Sequence, residues 1–145
     1  MLKQRRFPLG VLGLVIQLSF GCSASSSVLG PDEIAGEYQL VSVMGKPLPA
    51  ATVPGREELD SARLVLRSTG SLASTRHGTL CVLGTCSTFH DTASGTWASN
   101  GGNDLSFALS GQSGPAAPIK AEPGYIITLY SVDGTYREFL RYKKQ

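Results

Sequence analysis

The sequence contains few of the side chains from which metal centres and nucleophilic active sites are built. It has three cysteines, two histidines and one tryptophan in 145 residues. It contains no GxSxG or HExxH motif, no phosphate-binding glycine loop and no dinucleotide fingerprint. We therefore predict no catalytic residues, no metal, no cofactor and no enzymatic activity.

The sequence also lacks a cluster of positive charge that would attract a polyanion. The formal net charge is +2, but three of the 13 basic residues precede Cys22 and all 11 acidic residues follow it. The chain after Cys22 is therefore weakly acidic, and its one adjacent basic pair is Lys143-Lys144. Nucleic-acid binding has no electrostatic support, and we predict no nucleic-acid partner.

A third absence is a hydrophobic run long enough to favour a membrane-spanning helix, which needs about 20 apolar residues. The longest run, Leu9 to Phe20, is shorter and contains glycine and Gln17. It follows the basic residues Lys3, Arg5 and Arg6 and leads into small residues. A basic head, an apolar middle and a small-residue exit predict an export signal.

The dipeptide Gly21-Cys22 after this run resembles the lipobox of bacterial lipoproteins. The resemblance implies that Cys22 is lipidated, becomes the mature N-terminus and anchors the protein to a membrane of the bacterial cell envelope. An alternative is cleavage after Ala24, because Cys22-Ser23-Ala24 also fits a small-x-small cleavage pattern. The protein would then be secreted or periplasmic.

Beyond the signal segment, 1–22, and a flexible serine-rich tether, 23–33, we predict a single all-β domain over 34–145. Only Glu57 to Arg63 has a helical pattern, and Gly95 predicts a bulge within Thr92–Gly95. Asp133-Gly134 predicts a type I′ hairpin turn. The predicted strands are Gly36–Met44, Ala62–Ser68, Ser71–Val82, Thr85–Ser99, Asp104–Ser110, Tyr125–Val132 and Thr135–Lys143, with a short edge strand near Ile119. Consecutive hairpins favour an antiparallel up-and-down β-barrel of about seven or eight strands.

Two cysteines are spaced for a hairpin. If Val82 to Thr85 forms a four-residue loop, Cys81 lies directly opposite Cys86. The same register places two further pairs on the same face of the hairpin, Thr79 with Thr88 and His77 with His90. Leu80 and Phe89 then point to the other face, which we expect to be the core face.

Three chemical states are open to Cys81 and Cys86. We predict a structural disulfide, because it suits an exported protein and opposed strand residues have the required spacing. A zinc site with His77 and His90 has suitable ligand types, but about 13 Å of strand separates the histidines from the cysteines. Free thiols are the third alternative.

Several short segments resemble a known family. They are Gly36–Val43, Gly45–Pro49, Thr69–Ser71, Gly95–Trp97 and the terminal Arg141-Tyr142. Together with the cysteine hairpin they are similar to small bacterial lipoproteins with a lipocalin-like domain, over about Ile34 to Tyr142. The resemblance implies an up-and-down barrel with a small-molecule cavity, whose base is closed by Gly36, Tyr38 and Arg141.

The predicted function is that of a cell-envelope lipoprotein which binds a small apolar or amphipathic ligand in its barrel. The alternative is a structural or protein-interaction module with a filled barrel, no ligand and a protein partner in the envelope. The residues expected to line the barrel are Tyr38, Leu40, Leu64, Leu66, Trp97, Ile127 and Leu129.

Overall fold

The computed structural model of the chain describes residues 28–111 and 117–145. Residues 1–27, with the predicted signal segment and Cys22, lie outside the described residues. The elements in chain order are α1 (Pro31–Ile34), β1 (Gly36–Val43), β2 (Lys46–Pro47), β3 (Ala50–Val53), β4 (Glu57–Leu66), β5 (Ser71–Val82), β6 (Thr85–Ser99), β7 (Asp104–Leu109), β8 (Ile119–Glu122), β9 (Tyr125–Val132) and β10 (Thr135–Lys144).

Eight of the strands form a closed antiparallel barrel. They neighbour one another in the order β1, β10, β9, β8, β7, β6, β5, β4, and β1 pairs with β4 to complete the ring. The short strands β2 and β3 pair with β1 and β4 respectively, on the edges left free where those two strands separate. The predicted all-β, up-and-down barrel is confirmed, with eight strands.

The helical pattern at Glu57 to Arg63 is misleading, because Glu57 begins β4. The pairing of β4 with β5 shifts in register between Leu59 and Ser61, which marks a bulge. Leu59 and Ala62, three residues apart, are therefore both buried, at 1% and 2% exposure. A spacing of three is typical of a helix, and only the pairing with β5 shows the segment to be a strand.

The bulge predicted within Thr92–Gly95 is absent. β5 and β6 pair without a shift over their whole length. Gly95 instead accommodates a close approach of β7, since a Cβ atom there would lie 1.9 Å from the carbonyl oxygen of Ala108. A residue without a side chain is required by this close approach.

One end of the barrel is closed by α1 and filled with packed side chains. Pro31 occupies the first helical turn, and the Glu33 carboxylate accepts a hydrogen bond from the N–H of Gly30 at 2.7 Å. The helix presents Ile34, 1% exposed, to the barrel core. The side chains packed at this end include Ile34, Leu66, Trp97, Leu105 and Ile126.

Part of the segment predicted as a tether, 23–33, packs on the barrel. The N–H of Leu29 donates a hydrogen bond to Oδ1 of Asn103 at 3.0 Å, and the Leu29 side chain contacts the core. The folded domain thus begins before Ile34, the expected start, because Leu29 and α1 together cover the end of the barrel.

The base of the barrel is closed by Gly36, Tyr38 and Lys144. Gly36 and Tyr38 lie on the seam where β1 meets β4. Tyr38 is 2% exposed, and its hydroxyl donates a hydrogen bond to the carbonyl oxygen of Ile34. Nζ of Lys144 lies 5.9 Å from the centre of the Tyr38 ring. The cation at this seam is therefore a lysine.

Arg141, expected to be that cation, lies on the outer surface. Its Nη2 is 2.6 Å from Oε2 of Glu138, its Nη1 is 3.5 Å from Glu122, and its guanidinium carbon is 5.2 Å from the centre of the Tyr125 ring. Its neighbour Tyr142 is buried in the core. Because successive side chains of a strand alternate in direction, Arg141 must point outward.

The β5–β6 hairpin has the predicted register, with Cys81 opposite Cys86 and His77 opposite His90. The loop is shorter than predicted, because Val82 and Thr85 also pair and leave Leu83-Gly84 to make the turn. Both turn residues have positive φ, 51° and 82°, as a type I′ turn requires. Leu80 and Phe89 are half-buried on the inner face, as predicted.

Candidate ligand cavity in the barrel

The half of the barrel away from α1 contains a cavity of about 490 Å³. Strands β4 to β10 all contribute to its wall, and Ala117, just before β8, lies at its edge. Most of the wall is apolar, and its larger apolar side chains are Leu64, Leu72, Phe107, Leu109, Ile119, Phe139 and Leu140.

The barrel is filled at one end and hollow at the other because of side-chain size. At the α1 end the inward positions hold large side chains, among them Tyr38 and Trp97. Around the cavity, three of the wall residues are the small Ser74, Ala93 and Thr128. An eight-stranded barrel is just wide enough to be filled by its side chains, so small residues at inward positions leave a void.

The polar part of the wall contains an ion pair between two neighbouring strands. Nη2 of Arg76 on β5 is 2.8 Å from Oδ2 of Asp91 on β6, and Nη1 is 3.7 Å from Oε1 of Glu57 on β4. The Arg76 guanidinium carbon also lies 5.6 Å from the centre of the Phe89 ring. Two carboxylates therefore compensate the one positive charge at this part of the cavity.

Two hydroxyl groups add hydrogen-bonding capacity deeper in the wall. Oγ1 of Thr128 accepts a hydrogen bond from the N–H of Leu140 at 3.1 Å, at the bulge of β10. Tyr142 is 5% exposed. Its burial raises the pKa of Tyr142 to about 12, although the charge of Arg76 opposes the shift. The Tyr142 hydroxyl is therefore a neutral group at physiological pH.

The residues predicted to line the barrel fall into three groups. Leu64 lines the cavity. Four others are buried in the packed core and do not line the cavity: Tyr38, Leu40, Leu66 and Trp97.

The remaining two, Ile127 and Leu129, lie on the opposite face of β9 from the cavity, and Ile127 is buried there at 4% exposure, outside the main core cluster. On β9 it is Ile126 that belongs to the core cluster and Thr128 that lines the cavity. Ile127, between them, is opposite Lys120 on β8 and Arg141 on β10. Neither Ile127 nor Leu129 lines the cavity. The sequence could not show this, because β9 carries apolar residues on both faces and its alternation does not distinguish inside from outside.

The sequence analysis missed the polar wall residues, although an indication of one was present. Arg76 shares a face with Leu72 and Leu80 by the alternation of β5, so the hairpin register already placed a charge on the inner side. Asp91, its partner across the hairpin, follows from the same register. The alternation of the last strand places Tyr142 on the same face as Leu140 but does not show whether that face points inward.

The cysteines form the disulfide Cys81–Cys86, with Cα atoms 4.0 Å apart. Both sulfurs are therefore engaged, and the alternative zinc site with His77 and His90 is not formed. Within residues 28–111 and 117–145, no three side chains of His, Cys, Asp or Glu come together as metal ligands.

Comparison of the chain with known protein families, with curated proteins and with solved structures finds no match. Among the residues that the structure describes, no helix has the length and apolar character to cross a membrane.

Proposed function

We propose that the protein is a binding module that holds a small apolar or amphipathic molecule inside its barrel, without acting on it chemically. The observation that carries the proposal is the cavity of about 490 Å³ with a mainly apolar wall. Ligand cavities are typically about 300–1,000 Å³ and combine an apolar lining with a few polar groups. A module with a filled barrel, the alternative function, has no need of this unfilled half.

The charges of the wall limit the class of ligand. Arg76 is accompanied by Asp91 and Glu57, so this group carries no surplus of positive charge that would hold a carboxylate or a phosphate. The hydroxyls of Thr128 and Tyr142 offer hydrogen bonds without charge. We therefore propose a ligand with an apolar body and an uncharged, hydrogen-bonding end.

Binding can be tested with the uncharged dye Nile red and with medium-chain alkanols as competitors. We expect saturable dye fluorescence that the alkanols displace. Ala93→Phe, which fills the cavity from β6, should weaken dye binding at least about tenfold. Ala98→Phe is the matched control, because Ala98 lies on the same strand but is exposed. Absence of saturable binding, or equal loss in both variants, would contradict the proposal.

We further propose that Cys22 carries the lipid that attaches the protein to a membrane of the bacterial cell envelope. The basis is the sequence pattern of the first 22 residues. Leu29 binds Asn103 at the α1 end of the barrel, opposite the hollow half. A lipid on Cys22 would therefore hold the closed end toward the membrane and leave the cavity facing away from it.

The anchor can be tested by detergent partition of the wild type and of Cys22→Ala. Lipidated protein should partition into detergent, because several acyl chains attach a protein stably to a membrane. Cys22→Ala cannot receive these chains and should be released or remain unprocessed. A soluble exported wild type that begins at Ser25 would instead support cleavage after Ala24.

A further inference from the structure

The two histidines of the protein form a pair on the outer face of the β5–β6 hairpin. His77 and His90 are directly opposite each other, and both are exposed. Their ring centres are 4.8 Å apart, and the ring planes are tilted by 48°. This face is distinct from the cavity, which lies on the inner side of the same two strands.

The position of the pair on the ladder brings the side chains close together. Opposed residues of antiparallel strands alternate between wide pairs, with Cα atoms about 5.5 Å apart, and narrow pairs at about 4.5 Å. Cys81 and Cys86 are a narrow pair, since their Cα atoms are 4.0 Å apart. His77 and His90 lie four residues along an unshifted ladder and therefore belong to the same class.

The separation of the rings fits two ligands of one metal ion. A metal–nitrogen bond of about 2.0–2.1 Å places the ion about 3.2 Å from each ring centre. Two such arms that meet at about 90–109° place the ring centres about 4.5–5.2 Å apart. The observed 4.8 Å lies within that range. We propose that His77 and His90 together chelate one divalent transition-metal ion on the hairpin surface.

The ligand types indicate which ions the site would take. Imidazole suits Zn²⁺, Ni²⁺ and Cu²⁺, and Cu²⁺ is bound most tightly by a given set of nitrogen ligands, whereas Mg²⁺ and Ca²⁺ prefer oxygen. Two imidazoles leave the other coordination positions to water. The flanking pairs on this face, Thr75 with Thr92 and Thr79 with Thr88, are small and leave room for it.

The hairpin holds the two rings in position before an ion binds. β5 is paired on both sides near His77, with Ser61 of β4 opposite it on the other edge. The disulfide between Cys81 and Cys86 joins β5 to β6 on the same face, four residues along each strand from the histidines. Because the backbone positions are already set, the second imidazole binds at a high effective concentration.

The test is a titration of the full, oxidised chain with Cu²⁺, Ni²⁺, Zn²⁺ and Mg²⁺. Affinity is measured by calorimetry, and the number of nitrogen ligands by electron paramagnetic resonance of the Cu²⁺ form. Measurement in a Cys22→Ala background removes the third cysteine as a ligand. We expect one Cu²⁺ per chain at this site, bound through two imidazoles, with weaker Ni²⁺ and Zn²⁺ binding and no Mg²⁺ binding.

Either His77→Ala or His90→Ala should weaken Cu²⁺ binding at least about tenfold and leave one imidazole in the spectrum. The control adds Ala73→His to His77→Ala, because Ala73 is exposed on the same face of β5 as His77 and pairs with Ser94. This imidazole lies about 13 Å along the strand from the position of His77, too far from His90 to share an ion, so the affinity should not recover. The proposal is overturned if each histidine variant loses only one independent weak site, if the Ala73→His variant recovers full affinity, or if one ion joins two chains.

Discussion

Lys144 lies over the face of Tyr38, with its Nζ 5.9 Å from the ring centre, and donates a hydrogen bond to the carbonyl oxygen of Glu33 at 2.7 Å. The last residue of β10 thereby joins the first strand and the helix that closes the barrel. Gly36 has a φ of +154°, which side chains rarely allow, and a Cβ atom there would also lie 2.5 Å from Cε of Lys144, so the lysine side chain would have to shift.

Lys144→Ala should lower the free energy of unfolding by about 1–2 kcal/mol, because a cation–π contact and a hydrogen bond to a backbone carbonyl are lost together. Lys143→Ala is the matched control, since its side chain is exposed on the other face of β10, and should change it by less than about 0.5 kcal/mol. The measurement is the midpoint of urea unfolding. Equal effects in the two variants would contradict a role for Lys144 in closure.

Gly95→Ala should destabilise the barrel by at least about 2 kcal/mol, because its Cβ would overlap the backbone carbonyl of Ala108 at 1.9 Å. A backbone carbonyl in a paired strand has little freedom to move. Ser94→Ala, an exposed neighbour, should have almost no effect. Thermal unfolding of the two variants beside the wild type measures the difference, and a Gly95→Ala protein as stable as the wild type would disprove the close approach of β7.

The disulfide should contribute about 2 kcal/mol, because a loop of this length removes only a small amount of entropy from the unfolded chain. Reduction, or replacement of both cysteines by serine, should therefore leave the barrel folded. Phe89→Ala should cost a similar amount, about 2 kcal/mol, since Phe89 is only half-buried against the core. Unfolding on reduction alone would show that the hairpin depends on the disulfide for its register.

The stability of the protein should fall at high pH, and Tyr142 should account for part of the loss, since burial raises the pKa of both Tyr142 and Tyr38 to about 12. The unfolded phenol titrates near pH 10, whereas burial raises the pKa of Tyr142 in the folded state to about 12. The contribution of this group is complete below pH 10 and is lost as the pH rises toward 12, by about 2–3 kcal/mol. Tyr142→Phe should remove that part of the loss. Urea unfolding of the wild type and the variant at a series of pH values between about 9 and 12 measures the difference. An unchanged slope in Tyr142→Phe would assign the loss to other groups.

Local chemistry decided much of what the sequence predicted correctly. Asp133 and Gly134 have φ of 50° and 76° and join strands that pair from Val132 and Thr135 onward. Both residue types tolerate positive φ, so this hairpin depends on nothing beyond its own turn. The pairing of Cys81 with Cys86 follows in the same way from a short loop, and it sets the register for His77 and His90.

Other features depended on strands that are distant in the sequence. The sequence alone determined an all-β chain of hairpins, the β5–β6 register and the pairing of its cysteines, because these depend on turns and on alternation within one hairpin. Only the tertiary structure decided which face of β9 points inward, that Glu57 begins a strand, and that Lys144 instead of Arg141 meets Tyr38. A bulge reverses the alternation along a strand, and a strand with apolar residues on both faces carries no direction of its own. The closure of β1 onto β4 and β10 then selects the inner face and leaves the cavity where the inward residues are small.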